Sequence, residues 1–596
     1  MWRLGEVTSR RAVSAVIIAM WLAGIFTVAF NVQPVKSDYT WTETIYILGS
    51  GGIQPSTAPI SSVDGVTYTL TDNIVGNVPA GSSAIIIERD NIIIDGAGYT
   101  LTGTQAPLYS GASKGIYSTG RSNVTIENMI ITAFSYGIEF DFSSGNSVSG
   151  NNITANHDGG ILLYYSSNNS VGGNSITNNG DGLDLYSSSN YNSVSGNNIA
   201  ANYNDGVHIY SSSNNNSVSG NSITANNIYG ISLDSSNNNS VSGNNIANNG
   251  NGISLGSSSD NSVGGNNITA SEYEGIWLDT SSNNNSVSGN SITARNLVGI
   301  YLDALSNNNS VSANNIANNL YGGIFFDSSS NNSIVGNNIA NDSEGIYLED
   351  SSGDNSIFHN NFVNNTQQVV SSVGFANVWD DGYPSGGNHW SDYNGTDSNG
   401  DGIGDKPYVI DANNTDHYPL MGMFYDFNVS WIDSGYNVEL ISNSSVSAFD
   451  VGFWIEHPED PNARIIQFNV TGKTGTAGFC RVCIPTALLN ASYTVFLNGT
   501  EVPCTLLPFS NSTHSYLYFN YTHSTEEVII TPEFPSLLIL PVLMIMTLLA
   551  IVAFRKEWSK RQTGSRQHPP RASIHTPMLV QQAHLEFAVK KSDKFY

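Results

Sequence analysis

Between Asn146 and Asn361 apolar and polar positions recur in one phrase. It reads Asn-Ser-Val-Ser-Gly-Asn-Asn-Ile, a few polar residues, Gly-Ile-x-Leu, then a Ser/Asn tract. The first apolar residue of each copy is Val148, Val171, Val194, Val218, Val241, Val263, Val287, Val311, Ile334 and Ile357, at intervals of 22 to 24 residues. Val124 adds a degenerate earlier copy. So short a period fits one coil of a solenoid rather than a helix pair or a propeller blade. Each copy offers three strand-like pieces, as in Ser147–Ser149, Asn152–Thr154 and Gly160–Leu163. Alternation points Val148, Ile153, Ile161 and Leu163 inward and the residues between them outward. Asn, Ser and Gly are poor helix formers that compete for backbone hydrogen bonds, which excludes helices here. The pattern predicts an all-β parallel β-helix over 76–362.

The flanks divide by the loss of that pattern. Residues 1–37 carry Arg3, Arg10 and Arg11 before an apolar run, the build of a secretory signal peptide, with an uncleaved signal anchor as the alternative. Residues 38–75 lack the rung phrase and are expected to form an N-terminal cap, since a solenoid end exposes core and strand edges. Residues 363–422 form a closing cap. From 423 to 530 β-type alternation without the repeat predicts an immunoglobulin-like sandwich, a stalk or adhesion module. There Cys480 or Cys483 could pair with Cys504. Over 531–556 an apolar stretch, Leu537–Phe554, is followed by Arg555 and Lys556, which predicts one C-terminal transmembrane helix with the 557–596 tail inside the cell and the solenoid outside.

Charge narrows the partners. From Asp38 to Phe554 eight Lys and Arg stand against 45 Asp and Glu, a net charge of −37. Such a surface repels nucleic acid and attracts divalent cations. The chain is expected to be a monomer.

In a β-helix equivalent positions of successive rungs stack about 4.8 Å apart and form columns. The Asn151, Asn174, Asn197, Asn221 column, continued to Asn360, reads as a side-chain amide ladder. The outward position of Gly-Ile-x-Leu runs Glu139, Leu162, Asp184, His208, Ser232, Ser254, Trp277, Tyr301, Phe325, Tyr347. The last four make an aromatic strip on which sugar rings could stack; the alternative is cross-strand stiffening of the sheet. Asp234, Asp279, Asp303, Asp327 and Glu349 follow two residues on, available to sugar hydroxyls, to Ca²⁺, or to water. Toward the N-terminus Glu139, Asp184 and His208, with Asp181 and Asp205, form the densest outward titratable cluster. Paired carboxylates are what glycoside hydrolysis requires, and Glu139 and Asp184, two rungs apart, stand near the separation of inverting enzymes. Acids ahead of a turn glycine also occur without any such role.

The repeat phrase, with Asn377-Val-Trp-Asp-Asp-Gly-Tyr, Gly387-Asn-His-Trp-Ser-Asp-Tyr and Asp416-His-Tyr-Pro-Leu after the last rung, resembles the NosD type of right-handed parallel β-helix. That resemblance implies the fold, within a wider group of carbohydrate-binding proteins and sugar hydrolases. It also implies a copper-accessory role, which His157, His208 and His359, scattered and without Met- or His-rich tracts, do not support. The Thr531-Pro-Glu-Phe-Pro stretch resembles the PEF-type C-terminal signal of archaeal surface proteins, although the chain continues well beyond it.

One loop has metal spacing. Asp397, Asn399, Asp401, Ile403 (through its carbonyl) and Asp405 occupy positions 1, 3, 5, 7 and 9 around Gly402, the spacing by which a tight loop wraps Ca²⁺; position 12 is Tyr408 rather than Glu. An Asx-rich turn is the alternative. Together these readings predict a membrane-anchored, cell-surface β-helix that binds carbohydrate without turning it over, with structural Ca²⁺ in its cap. The alternatives are a polysaccharide-processing enzyme using Glu139, Asp184 and His208, or a purely structural surface protein.

Overall fold

The computed structural model describes residues 39–532 apart from 42, 77–80, 104–112, 373, 432–433, 454–463 and 491. The signal peptide, the PEF-like motif beyond Pro532, the apolar span Leu537–Phe554 and the tail lie outside the described residues. Among the described residues no helix is long and apolar enough to cross a membrane.

Three sheets of 15, 15 and 14 strands, parallel but for two short strands at the N-terminal end, wrap into a β-helix of about 13 turns. Sheet 1 contains Asn152–Thr154 and its equivalents, sheet 2 Gly159–Tyr164 and its equivalents, and sheet 3 Ser147–Ser149 and its equivalents. The inward set is as expected. Val148, Ile153, Ile161, Leu163 and their counterparts are fully buried in one continuous core. At about 2 kcal/mol for each buried aliphatic side chain, every rung contributes its own share of a core that needs no disulfide.

The corners explain the composition. At each bend a residue takes the left-handed conformation, and the next residue turns its side chain back inward. Gly150 precedes Asn151, Ala155 precedes Asn156, Tyr165 precedes Ser166, and Asn168 precedes Asn169. Those inward polar groups form ladders. Asn174 donates from Nδ2 to the Val148 carbonyl at 2.8 Å and to Asn197 Oδ1 at 3.0 Å, while its backbone N–H reaches the same Oδ1 at 2.9 Å. The expected Asn column is one of three such amide ladders; the others run through Asn146, Asn169, Asn192 and through Asn156, Asn179, Asn202. A fourth ladder is made of Ser143, Ser166 and Ser189. Buried amides and hydroxyls thus satisfy the backbone groups that each bend frees.

The ends depart from expectation. Residues 38–75 do not form a separate lid: Tyr39–Trp41, Ile45–Ile47 and Thr67–Leu70 pair in parallel with strands of sheets 1, 2 and 3. They are a first turn whose rung spacing is masked by longer loops, and short antiparallel strands, Ile53–Gln54 and Ile60–Ser61, cover its edge. At the other end Gln367–Ser371 and His389–Trp390 still pair with sheets 2 and 1, so the solenoid runs past 362. Trp390 then stacks on Phe362 at 4.3 Å and donates Nε1–H to Asp416 at 2.8 Å, closing the core.

Two antiparallel five-stranded sheets follow, sharing one core built from Val438, Phe468, Val482, Val495, Phe519 and Ile530. Cys480 and Cys483 both remain thiols, so neither pairs with Cys504; the strand Ala477–Pro485 is separated from Cys504–Leu506 by His514–Thr522. Burial pushes the Cys480 thiol up to about 11.

Candidate functional site

Sheet 2 carries the chemistry. Its Gly-Ile-x-Leu strands send Ile and Leu into the core, and pairing keeps the intervening residue in register: Glu139 against Leu162, Leu162 against Asp184, Asp184 against His208, His208 against Ser232. The structure brings Asp184 and His208 together and leaves Glu139 apart, with the Leu162 rung between. Glu139 is instead bound to Lys114 Nζ at 2.7 Å, and burial pushes its carboxyl above the usual range.

Around Asp184 the groups crowd. His208 Nδ1 stands 4.0 Å from Asp184 Oδ1 and 3.9 Å from Asp205 Oδ2. Asp181 accepts the Asp205 N–H at 3.0 Å, and Asp205 accepts the Tyr229 N–H at 3.1 Å. Asp184 is 3% exposed and its Oδ1 has no hydrogen-bond partner. Burial, reinforced by the Asp181 and Asp205 charges, raises the Asp184 carboxyl well above the usual carboxylate range. Burial with Asp181 nearby takes Asp205 up to about 7, while desolvation holds His208 below its ordinary value. Raised carboxyls thus stand beside an imidazole held below its ordinary value, a combination suited to passing protons.

An aromatic platform adjoins it that sequence reasoning missed. Tyr164, Tyr186 and Tyr210 stack along the column two residues beyond the Asp184 position, with ring centres 5.2 and 4.3 Å apart, and His208 lies on Tyr210 at 4.0 Å. Phe142 and Tyr165, both exposed, stack on each other at 5.0 Å beside it. The signal was present: this is the column that holds Asp234 and Asp279 farther along. Tyr136 also borders the cluster, because Gly159 between Tyr136 and Asp181 has no side chain; a Cβ there would sit 2.9 Å from the Tyr136 ring and 3.3 Å from Asp184 Oδ2.

Farther along the same face Trp277, Tyr301, Phe325 and Tyr347 stand in register on consecutive rungs. All four are half-buried rather than freely exposed, and three lean on one another: Tyr301 meets Phe325 edge-on at 5.5 Å and Phe325 stacks on Tyr347 at 4.2 Å. Burial raises the Tyr301 phenol, with Asp303 next in effect, and Asp303 itself is raised by burial.

In the closing loop Asp397 accepts the backbone N–H groups of Gly400, Asp401 and Gly402 at 2.8 to 3.0 Å. Asp401 accepts from Ile403 N–H at 2.9 Å, Asn399 Nδ2 at 2.9 Å and Tyr383 Oη at 3.0 Å. Asp405 turns to Ser398 and Thr396, whose donors hold its carboxyl below the usual range. The loop's oxygens are thus engaged with its own donors, and among the described residues no three or more His, Cys, Asp or Glu gather as metal ligands on their own. Ile403 is buried with Phe424, Ile441 and Phe479, and Arg481 packs on Gly402 and donates to the Pro384 carbonyl, so this loop docks the second domain. The solenoid histidines are likewise engaged apart from one another: His157 with Asp158 at 2.6 Å, His208 on Tyr210, His359 on Phe424 at 4.2 Å. That donor set does not fit copper.

Comparison with known proteins agrees on the repeat. Residues 229–395 match the family model for periplasmic copper-binding protein (NosD), and residues 90–246 match that for a right handed beta helix region. No curated protein matches the sequence. Among solved structures the chain is similar to the periplasmic alginate epimerase AlgG (18% identity, 47% of this chain and 80% of that one, TM-score 0.33). It is similar also to the Dettilon tailspike protein (14%, 83% and 86%, TM-score 0.34) and to the Azotobacter vinelandii mannuronan C-5 epimerase AlgE4 A-module (14%, 56% and 91%, TM-score 0.35).

Proposed function

We propose that this chain is a cell-surface protein that binds a polysaccharide along the outward face of sheet 2. One observation carries the reading: on four consecutive rungs an aromatic ring and, two residues on, a carboxylate reach the same face, as Trp277 with Asp279, Tyr301 with Asp303, Phe325 with Asp327, and Tyr347 with Glu349. Rings offer a sugar its stacking surface and carboxylates accept its hydroxyls, and a step of about 4.8 Å repeats that offer along a polymer. The protein holds the polymer without turning it over. A Trp277→Ala/Tyr301→Ala variant should lose retention on a glycan array that the parent protein shows; equal retention by both rejects the site.

A second reading is supported by Asp184, whose buried Oδ1 has no partner beside His208 and an Asp205 that titrates at about 7. An acid, a base and an aromatic platform in one place suit polysaccharide processing. Release of reducing ends that survives in Asp184→Asn and His208→Ala variants rejects that assignment. Membrane anchoring through Leu537–Phe554 rests on hydropathy and its basic flank. Ca²⁺ in the 397–405 loop rests on ligand spacing.

A further inference from the structure

The charge on the sheet 2 face says which sugars it takes. From Tyr136–Asp141 to Glu344–Glu349 its strands hold ten Asp and Glu and no Lys or Arg. The nearest strand cation, Lys114, is spent on Glu139 at 2.7 Å. A polyuronate or sulfated polymer lying here would meet mostly charge of its own sign, against a single Lys or Arg between residues 136 and 349, the exposed Arg295 in the turn before Val298–Leu302. Four rungs before Trp277 on the same face, Asp184, 3% exposed, also keeps an oxygen that receives no donor from the protein. The repeat unit of the face, ring plus carboxylate, matches a sugar that stacks through its ring and carries a cation at its edge, and the aromatic faces add cation–π attraction. Among the described residues these acids do not converge into a metal-holding group, so their charge is spread along the face as a polymer's would be.

We infer that the bound polysaccharide is built from amino sugars with free ammonium groups, each pairing with the carboxylate two residues beyond the aromatic ring it covers. This rests on the carbohydrate reading above and specifies its substrate class. Binding of glucosamine hexamer, N-acetylglucosamine hexamer and a uronate hexamer to the full chain, measured by calorimetry at fixed ionic strength, tests it. The amine hexamer should bind about tenfold tighter than the acetylated one, and the uronate not measurably. Asp279→Asn/Asp327→Asn, which keeps every aromatic ring, should remove that preference. Asp450→Asn/Glu501→Gln, which changes net charge equally on exposed positions of the second domain, should leave it intact. Equal binding of amine and acetylated hexamers, preferred binding of the uronate, or an equal loss in the distant variant overturns the inference while leaving carbohydrate binding standing. No binding of any hexamer overturns both.

Discussion

Asp342 stands where the ladder of Asn156, Asn179, Asn202, Asn296 and Asn319 calls for another amide, and replacing it with Asn tests how these ladders work. Its Oδ1 accepts the Asn319 N–H at 2.7 Å and Asn319 Nδ2 at 3.1 Å, as an Asn would. Its own N–H donates to Asn365 Oδ1 at 2.9 Å. The second oxygen, Oδ2, then occupies the place where neighbouring members carry their donor, and it is buried without a partner. An ionised carboxylate there faces acceptors; a proton on Oδ2 restores the missing donor. Burial accordingly takes this carboxyl from 3.8 up to about 7. Since the folded value lies above the unfolded one, the folded chain binds the proton more tightly, and stability is full below about pH 4 and falls as pH rises through about 7. Three pK units correspond to about 4 kcal/mol. Asp342→Asn supplies the donor at every pH. Relative to the parent it should be about equal at pH 4 and up to about 4 kcal/mol more stable at pH 8, measured by urea denaturation across that range. A difference between the two proteins that does not change with pH would refute the argument.

Three other perturbations follow from the same structure. Asn244→Ala strands the Val218 carbonyl and the Asn221 N–H, partners of Asn244 at 2.9 and 3.0 Å, and should cost about 3 kcal/mol in denaturant melts; a loss under about 0.5 kcal/mol would deny the ladder its structural role. Ala313 occupies the left-handed corner position (φ 54°) that Gly289 and Gly336 fill on adjacent rungs, so Ala313→Gly should stabilise by about 1 kcal/mol, and destabilisation would contradict the corner account. If Ca²⁺ sits in the 397–405 loop, a chelator should lower the melting temperature of the parent and leave an Asp397→Asn variant unmoved; identical melts of the parent with and without chelator reject the ion.

Much of this was legible in the sequence because a solenoid repeats its physics. Val148 and its equivalents announce an inward column by period alone, and the Asn151 column announces a ladder. What escaped notice depends on contacts that periodicity does not encode. The Asn156 and Asn169 ladders hide in polar tracts that read as loop. The first turn was masked by long insertions between its strands. Glu139 stands two rungs from Asp184, as the column implies, but the column does not show that Lys114, from an earlier rung, claims it. The tyrosine platform of Tyr164, Tyr186 and Tyr210 shares its column with Asp234 and Asp279, so the column has no single chemical character along the chain. The Asp397 loop shows oxygens in its sequence, whereas its buried Ile403 is what joins the two domains.

The function proposed for this protein depends on a polymer lying on the outward face of sheet 2. A crystal structure of the chain with a bound oligosaccharide tests it most directly. Sugar rings are expected over Trp277, Tyr301, Phe325 and Tyr347, with Asp279 and Asp327 within hydrogen-bonding distance. Sugar bound instead in the cleft where His359 and Phe358 meet Phe424 and Tyr425 of the second domain would contradict it.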